Sequence, residues 1–291
     1  MKKILITGAS SYLGRSLREY LEGFPEEYQV EALSLRGDTW KHFDFTGFDC
    51  IYHTAALVHH KETKDAPAFL PEYRKVNRDL TLEVATAAKA AGVAQFVFLS
   101  TEAVYGLTAP FGKTVTITKD TPLSPKDNYG ISKLEAEQGL QKMASDIFRV
   151  AILRPPIIYG RGCTGNFRTL EKFAQALPFF PKIENRRSML YIGNLNALVK
   201  HLIDGSDSGI FCPQDRQTHC TARVVQAIAK ARGKSLPLVP GFGWTMHLLR
   251  HLSGSVDKAF GSLCYDADLS AYPKDYRITD FPESVYLSEK D

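Results

Sequence analysis

Short apolar runs separated by helical patterns dominate the first half of the chain. The runs have the length and composition of β-strands and lie at Ile4 to Thr7, Val30 to Leu35, Cys50 to His53, Gln95 to Ser100 and Ile147 to Leu153. Helical spacing of apolar residues follows most of them, and the longest such pattern runs from about Ala68 to Ala91. Strands that alternate with helices predict an α/β fold with a parallel, doubly wound sheet.

The pattern changes after Arg154. Pro155 and Pro156 interrupt the last strand, and glycines at 160, 162 and 165 indicate a loop. We therefore expect a first domain over 1–155 and a smaller, discontinuous C-terminal lobe over 156–188 and 213–291. Short strands at Met189 to Ile192 and Gly209 to Cys212, with a helix from about Asn194 to Leu202 between them, predict that 189–212 returns to the first domain.

Composition argues against several classes of protein. A chain of 291 residues that is 44% hydrophobic can bury a large core, which argues against disorder. The formal net charge of +4 arises from 36 basic and 32 acidic residues that are spread along the chain, without a basic block to follow a nucleic-acid backbone. No apolar run reaches the roughly 20 residues that span a bilayer. We expect binding to neither nucleic acid nor membrane.

The cysteines indicate a compartment. They stand at positions 50, 163, 212, 220 and 264, an odd number without a C-x-x-C pair, which fits reduced thiols and predicts a cytoplasmic protein. Met1 leads through two lysines into the first strand, so we interpret the start as a fold element and not as a cleavable signal. His59 and His60 have no Cys or carboxylate at ligand spacing, and we predict no metal site.

The turn after the first strand reads T-G-x-x-S-x-x-G, with Gly8 and Gly14 flanking Ser11. Glycines between a strand and a helix let backbone N–H groups and the helix dipole face a pyrophosphate. The middle position is a serine where a third glycine would permit the closest approach. An ordinary strand-to-helix turn is the alternative interpretation.

Tyr129 and Lys133 stand four residues apart in Y-G-I-S-K, so they share one face of a predicted helix. A tyrosine with a pKa of about 10 is a poor acid or base at neutral pH, and a fixed cation nearby lowers that pKa. The pair is therefore a candidate acid/base unit. A surface Tyr/Lys pair is the alternative.

Hydroxyl groups end the predicted fourth strand, at Ser100 and Thr101 in the run S-T-E-A-V-Y-G. The carboxyl edge of a parallel sheet is where ligands of this fold class bind. A hydroxyl there can hydrogen-bond a reacting oxygen and position it for Tyr129. Ser100 could instead only terminate the strand.

Taken in order, these motifs resemble one family. H-T-A-A follows the third strand at 53 to 56, Asn77 lies in the long helix, and R-P-P-I-I-Y-G follows the fifth strand. The set looks like the extended short-chain dehydrogenases, the NAD-dependent sugar-nucleotide epimerases, dehydratases and 4-keto reductases, over roughly the first 200 residues. The resemblance implies a Rossmann-type dinucleotide-binding domain, a substrate-binding C-terminal lobe and an enzyme similar to UDP-glucose 4-epimerase. It also suggests a homodimer.

The resemblance implies roles for individual residues. Tyr129 would be the catalytic acid/base, Lys133 would tune its pKa and bind the nicotinamide ribose, and Thr101, with Ser100 as a neighbour that could share the role, would polarise the reacting oxygen. Asp44 would contact the adenine. The other cofactor contacts that the resemblance implies are Gly8, Ser10, Ser11, Tyr12, Leu13, Gly14, Phe45, Thr54, Ala55, Ala56, Asn77, Pro155 and Ile157.

Two departures from the family pattern affect cofactor and substrate. The second strand ends in Ser34 and Arg36, without the acid that binds a ribose 2′-hydroxyl in NAD-specific members, so NAD and NADP both stay open, and Asp38 could still serve. Pro156 stands where many epimerases carry a substrate-binding Asn. For the substrate, the candidates are Asn166, Glu102 and Arg187, with Arg186 as a rival for gripping the diphosphate.

Several functions compete. An NAD(P)-dependent nucleotide-sugar oxidoreductase/epimerase that acts at C4 of a UDP-linked sugar by hydride transfer, with a tyrosine acid/base, is our first hypothesis. An NADP(H)-dependent 4-keto-sugar reductase without epimerase activity is the alternative. A dehydratase is disfavoured, because Glu102 is followed by Ala103 where such enzymes carry a second acid. A non-catalytic dinucleotide-binding sensor is the hypothesis from another class, and intact Tyr129 and Lys133 argue against it.

Overall fold

The computed structural model describes residues 1–58, 67–249 and 255–290. The strands are β1 (Lys2–Thr7), β2 (Tyr28–Leu33), β3 (Cys50–His53), β4 (Gln95–Leu99), β5 (Thr114–Ile117), β6 (Arg149–Leu153), β7 (Ile157–Tyr159), β8 (Phe180–Pro181), β9 (Met189–Tyr191), β10 (Gly209–Phe211), β11 (Leu238–Val239) and β12 (Ser262–Tyr265). The helices are α1 (Tyr12–Glu22), α2 (Leu70–Arg74), α3 (Leu80–Ala90), α4 (Asn128–Met143), α5 (Asn166–Ala176), α6 (Ile192–Gly205), α7 (Thr221–Ala231), α8 (Gly243–Leu249), α9 (Ser255–Phe260) and α10 (Glu283–Glu289).

The chain divides into two compact units, and the first contains residues 1–106, 122–155 and 196–212. Its centre is a six-stranded sheet in the order β10-β6-β4-β3-β1-β2, in which every pair of neighbours is parallel. The predicted α/β fold with a parallel, doubly wound sheet is confirmed. The strand predicted at Val30 to Leu35 spans Tyr28–Leu33 instead, because these residues pair one for one with Lys2–Thr7 of β1.

The core of the first unit lies between the sheet and the helices α3 and α4. Leu5, Ile51 and Phe96 point into it from three strands, and all three are fully buried. Val84 of α3 and Leu140 of α4 pack against them. Burial of these apolar side chains is the main force that holds the helices on the sheet.

The long helix predicted from about Ala68 to Ala91 is not continuous. A π-helical turn, Lys75–Asp79, separates α2 from α3. Inside it, the Asn77 side chain accepts a hydrogen bond from the Leu57 amide (2.7 Å) and donates to the Leu57 carbonyl oxygen (3.0 Å) and the Ser132 hydroxyl (2.9 Å). The turn thus contains a side chain that three hydrogen bonds hold in place. Single π-turns inside helices are frequent at functional sites.

The second unit contains residues 107–121, 156–195 and 213–291. It is built on three two-stranded parallel ladders, β7 with β9, β8 with β11 and β5 with β12, and on helix α7, which packs against α5 and α10. Of the two short strands predicted within 189–212, β10 joins the central sheet, whereas β9 pairs with β7 in this unit. None of the described helices is long and apolar enough to cross a membrane.

Candidate active site

The glycines of the first turn stand where side chains would collide with neighbouring atoms. Gly8 has a φ of +96°, and a Cβ there would lie 2.7 Å from the Ala55 amide nitrogen. A Cβ on Gly14 would lie 2.8 Å from the Ser11 hydroxyl oxygen. The turn therefore forms a cradle that is open only because these residues lack side chains, and it stands at the positive end of the α1 dipole.

Ser11, at the middle position of this turn, is the N-cap of α1. Its hydroxyl accepts a hydrogen bond from the Gly14 amide (2.9 Å) and lies 2.7 Å from the Thr54 hydroxyl oxygen. The Ser11 hydroxyl thus hydrogen-bonds the first turn of α1 and the residue after β3. This capping role accounts for a serine where a third glycine could stand. In this fully described segment, the first turn of α1 contains no acidic residue that would repel a phosphate.

The end of β2 leads into an exposed segment. Ser34 and Arg36 are both exposed, and the Ser34 hydroxyl accepts from the Arg36 amide at 3.4 Å. The Asp38 carboxylate, the alternative ligand for a ribose hydroxyl, is 2.8 Å from the Lys41 ammonium, which lowers the pKa of Asp38. Arg36 is therefore the more available of the two groups for a ligand.

Most of the other predicted cofactor residues directly follow β1, β3 or β6 in the chain, whereas Asp44 and Phe45 precede β3 and Asn77 lies in the π-turn. Asp44 is exposed and accepts from the Thr46 amide (2.9 Å), whereas Phe45 is buried in the core, so the phenylalanine could contact a ligand only through its backbone. Thr54 donates to the Thr7 carbonyl oxygen at 3.1 Å. Ser10 is exposed, Tyr12, Leu13, Ala55, Ala56 and Ile157 are half-buried, and Asn77 and Pro155 are buried.

Helix α4 begins beside the end of β4 and carries the candidate acid/base pair. Asp127 caps the helix by accepting from the Gly130 amide (2.6 Å). Tyr129 and Lys133 then lie one turn apart, as the spacing predicts. Lys133 is only 1% exposed, and its ammonium donates to the Leu99 carbonyl oxygen (2.6 Å), 4.3 Å from the centroid of the Phe98 ring.

Of the two hydroxyls at the end of β4, only Thr101 reaches Tyr129. A hydrogen bond joins the Thr101 side chain to the Tyr129 phenol. Ser100 is 2% exposed and donates instead to the Glu137 carboxylate. The proposal that Ser100 shares the role of Thr101 therefore finds no support here, because its hydroxyl is committed to a buried carboxylate.

Burial dominates the electrostatics of the pair. It raises the pKa of the Tyr129 phenol, the Asp127 carboxylate raises it further, and the Thr101 hydrogen bond lowers it. Burial also lowers the pKa of the Lys133 ammonium to about 7, against the effect of Glu137, which raises it. Lys133 is not among the groups that shift the phenol in this structure, so the lowering that the four-residue spacing suggests stays a prediction. Tyr129 is thus protonated at neutral pH and can donate a proton.

A cavity of about 400 Å³ lies within the second unit. Its walls are mainly apolar, with Phe167, Leu170, Met189 and Phe260 among the lining residues, and two cationic residues, Arg187 and Lys258, take part. An apolar pocket that holds a few polar groups is the usual form of a small-molecule site.

Arg187 is fixed at this cavity. Its Nη1 donates to the carbonyl oxygens of Lys258 (2.6 Å) and Gly261 (3.2 Å). The rival Arg186 is exposed and donates to the Thr218 hydroxyl (3.3 Å). Between the two arginines, the cavity thus distinguishes Arg187. Sequence reasoning missed Lys258, since no motif marks the region in which it lies.

The remaining candidates are less defined. Glu102 is half-buried in the first unit, in the turn after Thr101, and its amide donates to the Pro155 carbonyl oxygen (3.0 Å). Asn166 is the first residue of α5, but its side chain, like the whole of His59 and His60, is outside the part that the structure describes. Within that described part, no three His, Cys, Asp or Glu side chains are grouped to hold a metal ion.

Comparisons with known proteins agree with this arrangement. The model of the NAD dependent epimerase/dehydratase family matches residues 4–205. The chain is 32% identical to the UDP-glucose 4-epimerase of Vibrio cholerae over 290 residues, which cover 91% of this chain and 87% of that protein.

Solved structures have the same fold at low identity. UDP-glucuronic acid 4-epimerase from Bacillus cereus, in complex with NAD, aligns with a TM-score of 0.74 at 17% identity, over 99% of this chain and 97% of that one. dTDP-4-dehydrorhamnose reductase from Bacillus anthracis, in complex with NADP, aligns with a TM-score of 0.69 at 19% identity, over 99% of both chains. The resemblance of the motifs is thereby confirmed, and the chain belongs to the NAD dependent epimerase/dehydratase family, whose members are sugar-nucleotide enzymes of Rossmann fold.

Proposed function

We propose that this protein is an NAD(P)-dependent epimerase that inverts C4 of a UDP-linked sugar, with Tyr129 as the acid/base. The observation that carries the proposal is the cluster at the head of α4, in which Thr101 hydrogen-bonds Tyr129 and the Lys133 ammonium lies one turn further on. The relationship to the Vibrio cholerae UDP-glucose 4-epimerase, over nine-tenths of the chain, supports an epimerase within the family.

The chain's own groups can bind the cofactor. The cradle of Gly8, Ser11 and Gly14 at the start of α1 suits a pyrophosphate, and Arg36 with Ser34 suits the adenosine ribose, with or without a 2′-phosphate. A bound nicotinamide supplies the hydride chemistry, since its ring takes up a hydride and gives it back.

Tyr129 would move the proton that accompanies the hydride. In its deprotonated form it takes the proton of the C4 hydroxyl as hydride leaves C4, and in its protonated form it returns that proton to the oxygen of the 4-keto sugar. Thr101 would hold the same oxygen by a hydrogen bond. In this structure burial, Asp127 and Thr101 shift the phenol. With the oxidised nicotinamide bound, the positive charge of that ring and the Lys133 ammonium would jointly favour the phenolate that the first step needs. Atoms and electrons balance over the cycle, so the reaction consumes no reductant.

The cavity of the second unit would hold the nucleotide. Its apolar walls suit the uracil ring, while Arg187 and Lys258 suit the diphosphate. Arg187 can offer a planar pair of donors to phosphate oxygens, and its bonds to two backbone carbonyls hold it in position.

A 4-keto-sugar reductase is the second candidate. Arg36 is exposed, and Asp38, the nearby acid after β2, is paired with Lys41, so this segment suits the 2′-phosphate of NADP. The Bacillus anthracis reductase, which has the same fold, was solved with NADP. Such an enzyme would exchange its cofactor at every turnover, whereas an epimerase retains it.

Turnover of UDP-glucose to UDP-galactose without added cofactor tests the proposal. We expect activity in the purified protein and a loss of at least ~100-fold in kcat in Y129F, because general acid/base groups contribute about that much or more. Y286F, which changes a half-exposed tyrosine, is the matched control. Equal turnover by Y129F and Y286F would contradict the role of Tyr129.

The cofactor released on denaturation separates the two candidates. Close to one NAD per chain is the result expected of an epimerase. A protein that releases none, and that binds NADPH more tightly than NADH, would favour the reductase.

A further inference from the structure

A buried ion pair adjoins the candidate acid/base pair and has no part in the chemistry described above. Glu137 and Arg154, with side chains 1% and 6% exposed, form a two-pronged contact, in which Arg154 Nη2 lies 2.6 Å and Nε 3.1 Å from the carboxylate oxygens. Such a pair is costly to bury, so stability alone does not account for it.

The sequence places this carboxylate in line with the acid/base pair. Tyr129, Lys133 and Glu137 follow one another at intervals of four residues on α4 and therefore share one face of the helix. Each is one turn from the next, so Glu137 adjoins Lys133 on the side away from Tyr129.

The carboxylate is held in one position from several sides. Ser100 donates to one of its oxygens, and Arg154 donates to both. Arg154 in turn donates to the Tyr105 phenol (3.0 Å), and its amide donates to the Phe211 carbonyl oxygen (2.8 Å). This clamp leaves Glu137 little freedom, so its charge stands at a fixed distance from Lys133.

Lys133 needs a negative charge nearby, because it is buried. The Leu99 carbonyl and the Phe98 ring are its neutral neighbours, and Glu137 is the group whose charge raises the pKa of Lys133. His53 of β3, whose pKa is lowered to about 3, and Tyr129, Glu102 and Arg154 are also on the elements around it. These elements carry further charged groups, which are Glu72, Arg74, Lys75, Arg78, Asp79, Glu83, Lys89, Asp127, Glu135, Lys142 and Arg149.

We propose that Glu137, clamped by Arg154 and Ser100, is a positioning residue that keeps the Lys133 ammonium charged and directed at the Leu99 carbonyl oxygen. The catalytic consequence rests on the proposed function, in which a charged Lys133 favours the Tyr129 phenolate. The effect of Glu137 on the charge of Lys133 does not depend on the proposed function. Ser100 thereby acquires a role, as a support of Glu137 and not as a contact of the substrate.

The direct test is an NMR titration of the Lys133 side chain in protein labelled at lysine, with K133M to assign the signal. We expect Lys133 of the wild type to titrate near 7. In E137Q the midpoint should fall by about one pH unit or more, because the supporting charge is gone while burial persists. E137D, which keeps the charge, should lie between the two.

E135Q is the matched control. Glu135 is on the same helix and is paired with Arg74 and Arg78, so its loss removes the same charge from a different face. The Lys133 midpoint should stay within ~0.3 units of the wild type in E135Q. If the Lys133 midpoint in folded E137Q also lies within ~0.3 units of the wild-type value, the proposal is overturned.

E137Q leaves Arg154 without its carboxylate, which can prevent folding. The double variant E137M/R154M removes both charges together, so that Arg154 is not left without its carboxylate. The Lys133 midpoint should still fall, but by less than in E137Q, because the repulsion from the Arg154 cation is lost as well. A midpoint in the double variant that is no lower than that of the wild type would overturn the proposal equally.

Kinetics then separates this inference from the proposed function. We expect E137Q to have a lower kcat than the wild type, while its KM stays within ~2-fold of the wild-type value. The high-pH limb of the kcat profile should move to lower pH by as much as the Lys133 midpoint does. A shifted midpoint together with full turnover by Y129F would refute the proposed function and leave the effect on Lys133 standing. An unshifted Lys133 midpoint in E137Q together with an inactive Y129F would refute the role of Glu137 and leave the proposed function standing.

Discussion

The Lys133 ammonium donates a 2.6 Å hydrogen bond to the carbonyl oxygen of Leu99, the last residue of β4. The bond ties the start of α4 to the strand that delivers Thr101. A cation 1% exposed at such a place is expensive to bury, and groups of this kind concentrate at sites of function.

Replacing Lys133 should therefore stabilise the fold. Its pKa of about 7 in the folded protein is below the ~10.4 of an unfolded lysine, so the unfolded chain binds more protons between these values. The unfavourable contribution of Lys133 to the stability of the fold thus has its full size below about pH 7, and it vanishes as the pH rises towards ~10.4. We expect K133M to increase the free energy of unfolding by about 1 to 3 kcal/mol at pH 6.

Chemical denaturation at several pH values measures this effect. The advantage of K133M over the wild type should shrink steadily between pH 7 and 10. A difference that does not depend on pH would mean that Lys133 titrates normally in the folded protein.

Gly8→Ala should damage both the fold and the cofactor site. The new Cβ would be 2.7 Å from the Ala55 amide nitrogen at a φ of +96°. We expect a loss of about 2 to 4 kcal/mol, from strain and overpacking together, and a collapse of NAD(H) affinity. Gly37→Ala is the control, since its φ is also positive (+73°) but no described atom lies within 4 Å of a Cβ there. Equal effects of the two changes, in denaturation and in cofactor titration, would show that the close approach to Ala55 is unimportant.

Arg187→Lys should weaken binding of the UDP-sugar. Lysine keeps the charge but loses the planar pair of donors, so we expect KM to rise by about 10-fold with a smaller change in kcat. Arg186→Lys, at the exposed neighbour, should leave KM within ~2-fold of the wild type. If both variants bind alike in steady-state kinetics, Arg187 does not hold the diphosphate.

Arg36→Glu should change the preference between cofactors. The exposed guanidinium suits a 2′-phosphate, and a carboxylate repels one. We expect NADPH to bind at least ~10-fold more weakly, and NADH to change by less than ~3-fold, in fluorescence titrations. Parallel losses for both cofactors would place Arg36 away from the 2′ position.

What the sequence predicts well is local. The turn at Gly8 and Gly14, the strand that ends before Ser100, and the helical spacing of Tyr129 and Lys133 depend on neighbours within a few residues, and the structure has these elements within one or two residues of the predicted bounds. The periodicity that identifies such elements is itself a short-range property.

What it does not predict depends on residues far apart in the chain. Strand β5 lies in the first half of the chain but pairs with β12 near its end, so 107–121 belong to the second unit. The contact of Glu137 with Arg154, and that of Arg187 with the Lys258 carbonyl, likewise need the tertiary fold. The π-turn at Asn77 depends on Leu57 and Ser132, which no local pattern reveals.

The central claim, hydride transfer at C4 with return of the same hydride, is tested most directly by UDP-glucose that carries deuterium at C4. The protein is incubated with it without added cofactor, and the product is examined by NMR and mass spectrometry. We expect UDP-galactose that keeps the deuterium at C4, formed more slowly than from the unlabelled sugar and not formed by Y129F. Product that has lost the label, or turnover only when NADPH and a 4-keto sugar are supplied, would contradict a redox-neutral epimerase with a retained cofactor.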